Sequence, residues 1–165
     1  MGPRFAQGLD MPNLSIDTPT GPMTITAQDG AITALQWHGP QGNDDTALLR
    51  MANLQIDEYF DGHRTAFDLP LRVHGSDFQR AVCDAMSAIP FGQTVTYGDI
   101  SKQLNVPAQA IGQACGGNPI PLIIPCHRVL GATGLGGFSG DGGGLNGIEL
   151  KVKLLRHEGA AGLLI

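Results

Sequence analysis

Cys126, His127 and Arg128 stand in direct succession at the end of an apolar run, Pro119 to Pro125, with further proline at position 121. A thiol becomes a nucleophile when a nearby base or positive charge favours the thiolate, and an imidazole and a guanidinium immediately after it are groups of those kinds. Adjacent side chains rarely converge on one point, so His127 is expected to act on the thiol through water. A buried structural cysteine beside a surface histidine is the competing reading of the same string. Further on, Lys151, Leu154, Leu155 and Glu158 are spaced i, i+3, i+4 and i+7, which places them on one helical face. A carboxylate on a buried stripe needs a partner, and a histidine bound to it would be oriented and made more basic, completing a Cys-His-Glu relay. The spacing is equally compatible with a solvated glutamate at a frayed helix end beside Gly159.

The elements that would have to position these groups fall into two halves. Leu14 and Ile16, then Met23, Ile25 and Ala27, alternate with polar neighbours, and Asp29-Gly30 turns the chain into Ala31 to Trp37, which predicts a small antiparallel sheet. Leu48, Met51, Ala52, Leu54, Ile56 and Tyr59 recur with helical spacing, with Asp44 and Asp45 at the helix start and Asp61-Gly62 at its end. Asp68 to Gly75, holding Pro70 and no clear period, is the candidate linker, giving domains 1–74 and 75–165. Ser76-Asp77-Phe78-Gln79 then opens a helix with a capping-box pattern and an apolar stripe of Phe78, Val82, Ala85, Met86 and Ile89. Thr96 can cap a short helix, Asn105-Val106 is a tight turn, and Pro107 begins another helix that ends at Gly116-Gly117. Two short helices across a tight turn suggest a helix-turn-helix, although αα-hairpins also serve as plain cores.

Composition bounds the alternatives. A chain of 165 residues with 42% hydrophobic content is globular, and no apolar stretch reaches bilayer length. No basic residues precede an apolar leader, which makes the cytoplasm the default location. Three cysteines without a CxxC pair argue against a disulfide framework, and Cys83 and Cys115 read as core residues. The net charge of −5 lies in the first half, where four basic residues face nine acidic ones up to Gly75, while the rest balances six against six. Charge alone therefore does not announce a nucleic-acid partner.

GNPIPLIIPCHRVLG, followed by GGFSG and by LKVKLLRHEG, resembles the methylated-DNA–protein-cysteine methyltransferase family, whose signature is Pro-Cys-His-Arg-Val. The likeness is close from Ser76 to Gly159 and extends to the first half in general layout. It implies an α+β protein: a small N-terminal RNase H-like α/β domain, then a mainly helical, winged-helix-like domain whose helix-turn-helix enters the minor groove. The implied activity is single-use transfer of a methyl or other alkyl group from the O6 oxygen of guanine in double-stranded DNA to Cys126. By the same resemblance His127 is the water-mediated base, Glu158 its orienting carboxylate, Asn118 the brace of the active-site loop and Tyr97 the phenol near the flipped guanine. Ser139 and Lys151 would line the pocket. Arg128 would be structural while counted, with Val129, among the residues at the substrate and DNA side. Small Ala108, Ala110 and Gly112 would let the second short helix lie close to the groove, where tight helix packing is the alternative use of such residues. No cofactor and no metal are implied, since a zinc site of the kind some relatives carry needs N-terminal cysteines, and a monomer is expected.

The sequence also departs from the family. Gln109 stands where an arginine usually fills the space left by the extruded nucleotide, and the preceding turn is shorter. Phe138 replaces a frequent tyrosine, and the Gly-rich stretch Asp141 to Gly147 is an insertion expected to form a pocket rim. Three other functions compete. A lesion-binding relative would lack the acceptor cysteine, a Cys-His-Glu hydrolase would turn over repeatedly, and a helix-turn-helix regulator would have no use for the thiol.

Overall fold

In this computed structural model the described residues are 11–131 and 145–160. Asp29 and Gly30 both take positive φ, 50° and 81°, the conformation of a two-residue hairpin loop, and join β2 (Gly21–Gln28) to β3 (Ala31–Trp37). β1 (Asn13–Thr18) pairs with β2, so the sheet is antiparallel in the order β1-β2-β3. Met23, Ile25 and Ala27 of β2 are buried together with Leu35 and Trp37 of β3. Helix α1 (Ala47–Phe60) packs on β1 and β2 and buries Leu49, Ala52, Ile56 and Tyr59. Its cap is Thr46, whose hydroxyl accepts from the Leu49 N–H at 3.2 Å, whereas Asp44 and Asp45 precede the first turn. Asp44 instead accepts from the Asn13 N–H at 2.9 Å, and Asp45 pairs with Arg50 at 2.8 Å.

β3 lies at the edge of its sheet, and its free backbone groups find partners outside it. The Ile32 N–H donates to the Pro70 carbonyl at 2.8 Å, and the Arg72 N–H donates to the Ile32 carbonyl at 2.9 Å, which pins the 68–75 stretch along the sheet. The Leu35 N–H donates to the Pro119 carbonyl at 3.0 Å, so the same edge touches the start of the Cys126 loop. An unpaired edge is costly to bury, and here it becomes the dock for the second half.

Helix α2 (Asp77–Ser87) is capped by Ser76, which accepts from the Gln79 N–H at 3.0 Å. The Gln79 side chain does not close the expected box; its amide donates to the Ala114 carbonyl at 2.8 Å and so ties α2 to a later helix. Thr96 and Asp99 form a complete capping box at the start of α3 (Tyr97–Leu104), and Asn105 ends that helix in the left-handed conformation, φ 57° and ψ 50°. α4 (Ala108–Gly116) follows from Pro107, as expected of a helix-turn-helix. Two short strands that the sequence did not announce, β4 (Val95–Thr96) and β5 (Val129–Leu130), pair in parallel and bracket this unit. The last helix, α5 (Leu145–His157), buries Leu150, Lys151, Leu154 and Leu155. Leu145 to Gly147, expected in the Gly-rich rim, instead open this helix; Phe138, Ser139 and 141–144 lie outside the described residues. One continuous apolar cluster runs from Ile16 and Met23 through Val82 and Ile111 to Leu154. Among the described residues, no helix is long and apolar enough to cross a membrane.

Candidate active site

Cys126, His127 and Arg128 form one 3-10 turn that follows the proline-rich loop. The loop is held from inside. Asn118 Nδ2 donates to the Ile124 carbonyl at 2.8 Å, its Oδ1 accepts from the Ile120 N–H at 3.0 Å, and its side chain also hydrogen-bonds the Cys126 thiol. The Cys126 N–H donates to the Ile124 carbonyl at 2.8 Å and the Arg128 N–H to the Pro125 carbonyl at 3.0 Å. Within the loop Leu122 is buried with φ at 75°, a region that costs a branched residue about 1–2 kcal/mol. Such strain persists where surrounding contacts over-determine the backbone, and here the prolines and Asn118 do so.

This tight turn throws consecutive side chains in different directions. His127 and Arg128 both reach Glu158, which stands just past the end of α5. His127 Nε2 lies 2.7 Å from Glu158 Oε2, while Arg128 Nε donates to Oε1 at 2.8 Å and Nη2 to Oε2 at 2.9 Å. Arg128 Nη1 donates to the Ile89 carbonyl at 2.6 Å. A fourth donor arrives from the first half of the chain, since the Tyr59 hydroxyl donates to Glu158 Oε2 at 2.6 Å. The Glu158 side chain is fully buried, so the frayed-end reading of this residue is set aside.

Burial works to raise the Glu158 carboxyl, but hydrogen bonds from His127, Arg128 and Tyr59 outweigh it and hold the group well below the usual carboxylate range. Glu158 is therefore an anion, and it can only accept. His127 must donate through Nε2, which leaves Nδ1 as the nitrogen with the lone pair. Nδ1 is buried and takes no hydrogen bond from any described residue. Burial lowers the His127 pKa below its ordinary value despite Glu158, with Arg128 and Lys151 acting in the same direction, so the ring rests neutral. Burial pushes the Cys126 thiol up to about 11 against the hydrogen bond from Asn118 and the charge of Lys151. At neutral pH the site thus holds a thiol beside a neutral imidazole, and the thiolate forms only when a proton can be handed over.

Residues 77–160 match the family model described as 6-O-methylguanine DNA methyltransferase, DNA binding domain, and residues 14–73 match its ribonuclease-like domain. The chain belongs to the 6-O-methylguanine DNA methyltransferase family. The methylated-DNA–protein-cysteine methyltransferase of Mycobacterium bovis is 38% identical over 160 residues, covering 92% of this chain and 96% of its own length. That of Mycobacterium leprae is 37% identical over 153 residues, with 87% and 92% covered. Among solved structures, Mycobacterium tuberculosis O6-methylguanine methyltransferase aligns with a TM-score of 0.80 at 34% identity, covering 94% of this chain and 97% of the other. Mycobacterium tuberculosis OGT in complex with DNA aligns with a TM-score of 0.77 at 39% identity, covering 89% and 92%.

In this methyltransferase-family chain the His127 ring is brought onto Glu158, and the Asn118 side chain onto the Cys126 thiol. Tyr97, the first residue of α3, lies near enough to Cys115 and Cys126 to feel their charge; burial chiefly, and those thiols next, push its hydroxyl up to about 12. Lys151 is fully buried, donates through Nζ to the Val129 carbonyl at 2.7 Å and has its ammonium 5.9 Å from the centre of the Tyr97 ring. Burial lowers its pKa to about 8.

Arg128 and Val129, counted at the substrate and DNA side, are buried at 6% and 0% exposure, as Cys126 is at 6%. Arg128 spends its donors on Glu158 and Ile89, and Val129 pairs in β5 and accepts from Lys151. Ala108 and Gln109 are exposed at the start of α4, with Gly112 half-buried one turn on. A Cβ at Gly112 would meet no atom within 4 Å, so tight packing inside this chain does not explain the glycine. Cys83 and Cys115 are buried as expected, Cys115 donating to Met86 Sδ at 3.5 Å.

Tyr59 was missed as a site residue, because the helical spacing of α1 presented it as one more member of an apolar stripe. The available signal was the hydroxyl itself, since a tyrosine buried to its tip must bond something.

Proposed function

We propose that this protein repairs DNA by direct reversal, moving a methyl or other alkyl group from O6 of guanine to the Cys126 sulfur, once per molecule. The observation that carries the reading is the buried succession of Cys126 thiol and His127 ring, the latter held through Nε2 by Glu158 so that Nδ1 remains as base. Nδ1 takes the thiol proton by way of water, and the sulfur attacks the alkyl carbon in line with the C–O6 bond. The C–S bond forms, the C–O bond breaks, and its electron pair stays with guanine, which takes a proton from the Tyr97 hydroxyl. The His127 imidazolium then returns a proton to the Tyr97 phenolate through solvent, so that, net, the thiol proton ends on guanine, both side chains regain their starting states and guanine is restored. A thioether cannot be hydrolysed under mild conditions, which makes the protein a stoichiometric reagent and separates it from a Cys-His-Glu hydrolase.

The guanine must leave the stack to reach a buried sulfur. In this reading residues 75–165 form the DNA-binding and transfer domain, with 1–74 as the ribonuclease-like domain. α4 enters the minor groove with Ala108 and Gly112 permitting close approach and Gln109 entering the duplex. Ser139 and Lys151 line the pocket. A cytoplasmic location fits the same reading, because Cys126 must stay a free thiol in a reducing compartment.

The deciding experiment is intact mass analysis after incubation with DNA carrying O6-methylguanine. One added methyl is expected, mapped to Cys126, with none on Cys83 or Cys115. Repeated repair by one molecule, or label on either other cysteine, overturns the mechanism.

A further inference from the structure

Tyr59 is the last buried residue of α1, and its hydroxyl crosses into the second half of the chain to reach Glu158 Oε2 at 2.6 Å. That oxygen also faces His127 Nε2 at 2.7 Å and Arg128 Nη2 at 2.9 Å, while Oε1 is taken by Arg128 Nε at 2.8 Å. The tyrosine is itself clamped. His157 Nε2 lies 2.8 Å from its backbone carbonyl, the His157 ring stands 4.8 Å from its ring centre, and Phe67 and Phe91 pack at 5.5 and 6.0 Å. The end of α5 thus grips one residue of α1 by backbone and side chain, through His157 and the Glu158 that follows it.

We propose that Tyr59 is a positioning residue for alkyl transfer: its hydroxyl fixes Glu158 Oε2 and takes a share of that oxygen's charge, so that Glu158 orients the His127 ring without drawing a proton onto it. This rests on the reading of the site as an alkyl-transfer centre. A carboxylate oxygen that already accepts two other donors binds a third less strongly, because each donor withdraws charge from the same atom. Among the described residues, the charged and titratable groups facing the pair are few. Arg128 comes from the same turn as His127, Lys151 and His157 from α5, Tyr59 from α1, and Cys126 precedes the ring in the chain. Arg128 and Lys151 oppose protonation of His127, and among the described residues only Glu158 favours it. Every donor that Glu158 satisfies elsewhere therefore leaves the His127 lone pair freer to act as the base. The first half of the chain thus sets the chemistry of the second through one hydroxyl.

The test is Tyr59→Phe, which keeps the ring and removes the donor. Single-turnover transfer from O6-methylguanine DNA is measured across the pH range in which His127 titrates, and the His127 ring proton is followed by NMR in the free protein. The acid limb of the rate profile and the NMR titration should both move to higher pH by roughly half a unit, about a threefold change in the protonation ratio. Site-specific 3-fluorotyrosine at position 59, a stronger donor of nearly equal size, should move both the other way, and it answers the question even if the Phe variant folds poorly. A uniform loss of rate with both titrations unmoved means that Tyr59 only joins the two halves, and it overturns the proposal. Unmoved titrations at full rate overturn it as well. If the wild-type protein transfers no alkyl group, the reading of the site fails, while the NMR titration, which needs no substrate, still decides the role of Tyr59.

Discussion

Arg128 and Glu158 meet in a two-pronged pair, Nε on Oε1 at 2.8 Å and Nη2 on Oε2 at 2.9 Å, with the carboxylate wholly shielded from water. The fork geometry is one that a guanidinium makes and an ammonium cannot. Removing one partner of such a pair leaves an uncompensated charge in the interior, so Arg128→Met should lose about 3–5 kcal/mol of stability. Arg128→Lys should recover only part of this, because it keeps a charge but not the second prong or the bond to the Ile89 carbonyl. Urea unfolding of the three proteins measures it, and a loss below about 1 kcal/mol would show that the pair behaves like a surface contact.

Glu158→Gln tests the orientation of the base. A neutral amide can still bond the His127 ring but no longer favours the imidazolium that develops as Cys126 gives up its proton. Transfer should slow by about 10²–10⁴, the range that a positioned acid or base contributes, with DNA binding nearly unchanged. The variant also strands the Arg128 charge, so rates must be taken where circular dichroism shows it folded. Stopped-flow rates equal to wild type would mean that Glu158 serves the fold alone.

Stability should fall on the acid side in two stages. His127 is held below its ordinary value of 6.5, so below that pH the unfolded chain takes up a proton that the folded one refuses, and stability declines from there down through the lowered folded pKa. Glu158 is held below its ordinary 4.5; its contribution is complete above that value and is lost as pH falls toward the depressed folded pKa. Denaturant midpoints across acid pH should show both stages in wild type, and His127→Asn should remove the upper one. An upper stage that survives the substitution assigns it to another group.

Gln109 is exposed on α4 and unconstrained by the fold, which makes Gln109→Arg a test of docking rather than of folding. Base extrusion costs a few kcal/mol of stacking and pairing, partly recovered by whatever fills the vacancy, and a guanidinium adds a stacking plane and neutralises phosphate charge. The variant should bind alkylated duplex DNA more tightly and with a steeper salt dependence, and single strands should gain less. Equal gains on both substrates, or none, would mean that Gln109 does not enter the duplex.

Local features carried much of this protein in the sequence. The Asp29-Gly30 hairpin, the Thr96 cap, the Asn105 turn and the stripe of Lys151, Leu154, Leu155 and Glu158 each depend on neighbours a few residues apart, where backbone sterics and periodicity act directly. The Cys126-His127-Arg128 string named the chemistry because adjacent residue types are visible without a fold. Where those side chains go was not visible. A single 3-10 turn sends Arg128 inward to Glu158, and Tyr59, 99 residues away from Glu158, completes the same cluster. The edge of β3 docks on the Pro119 carbonyl for the same kind of reason. Buried charges and hydroxyls must find partners wherever packing brings them, and that demand is met across the whole chain, not along it.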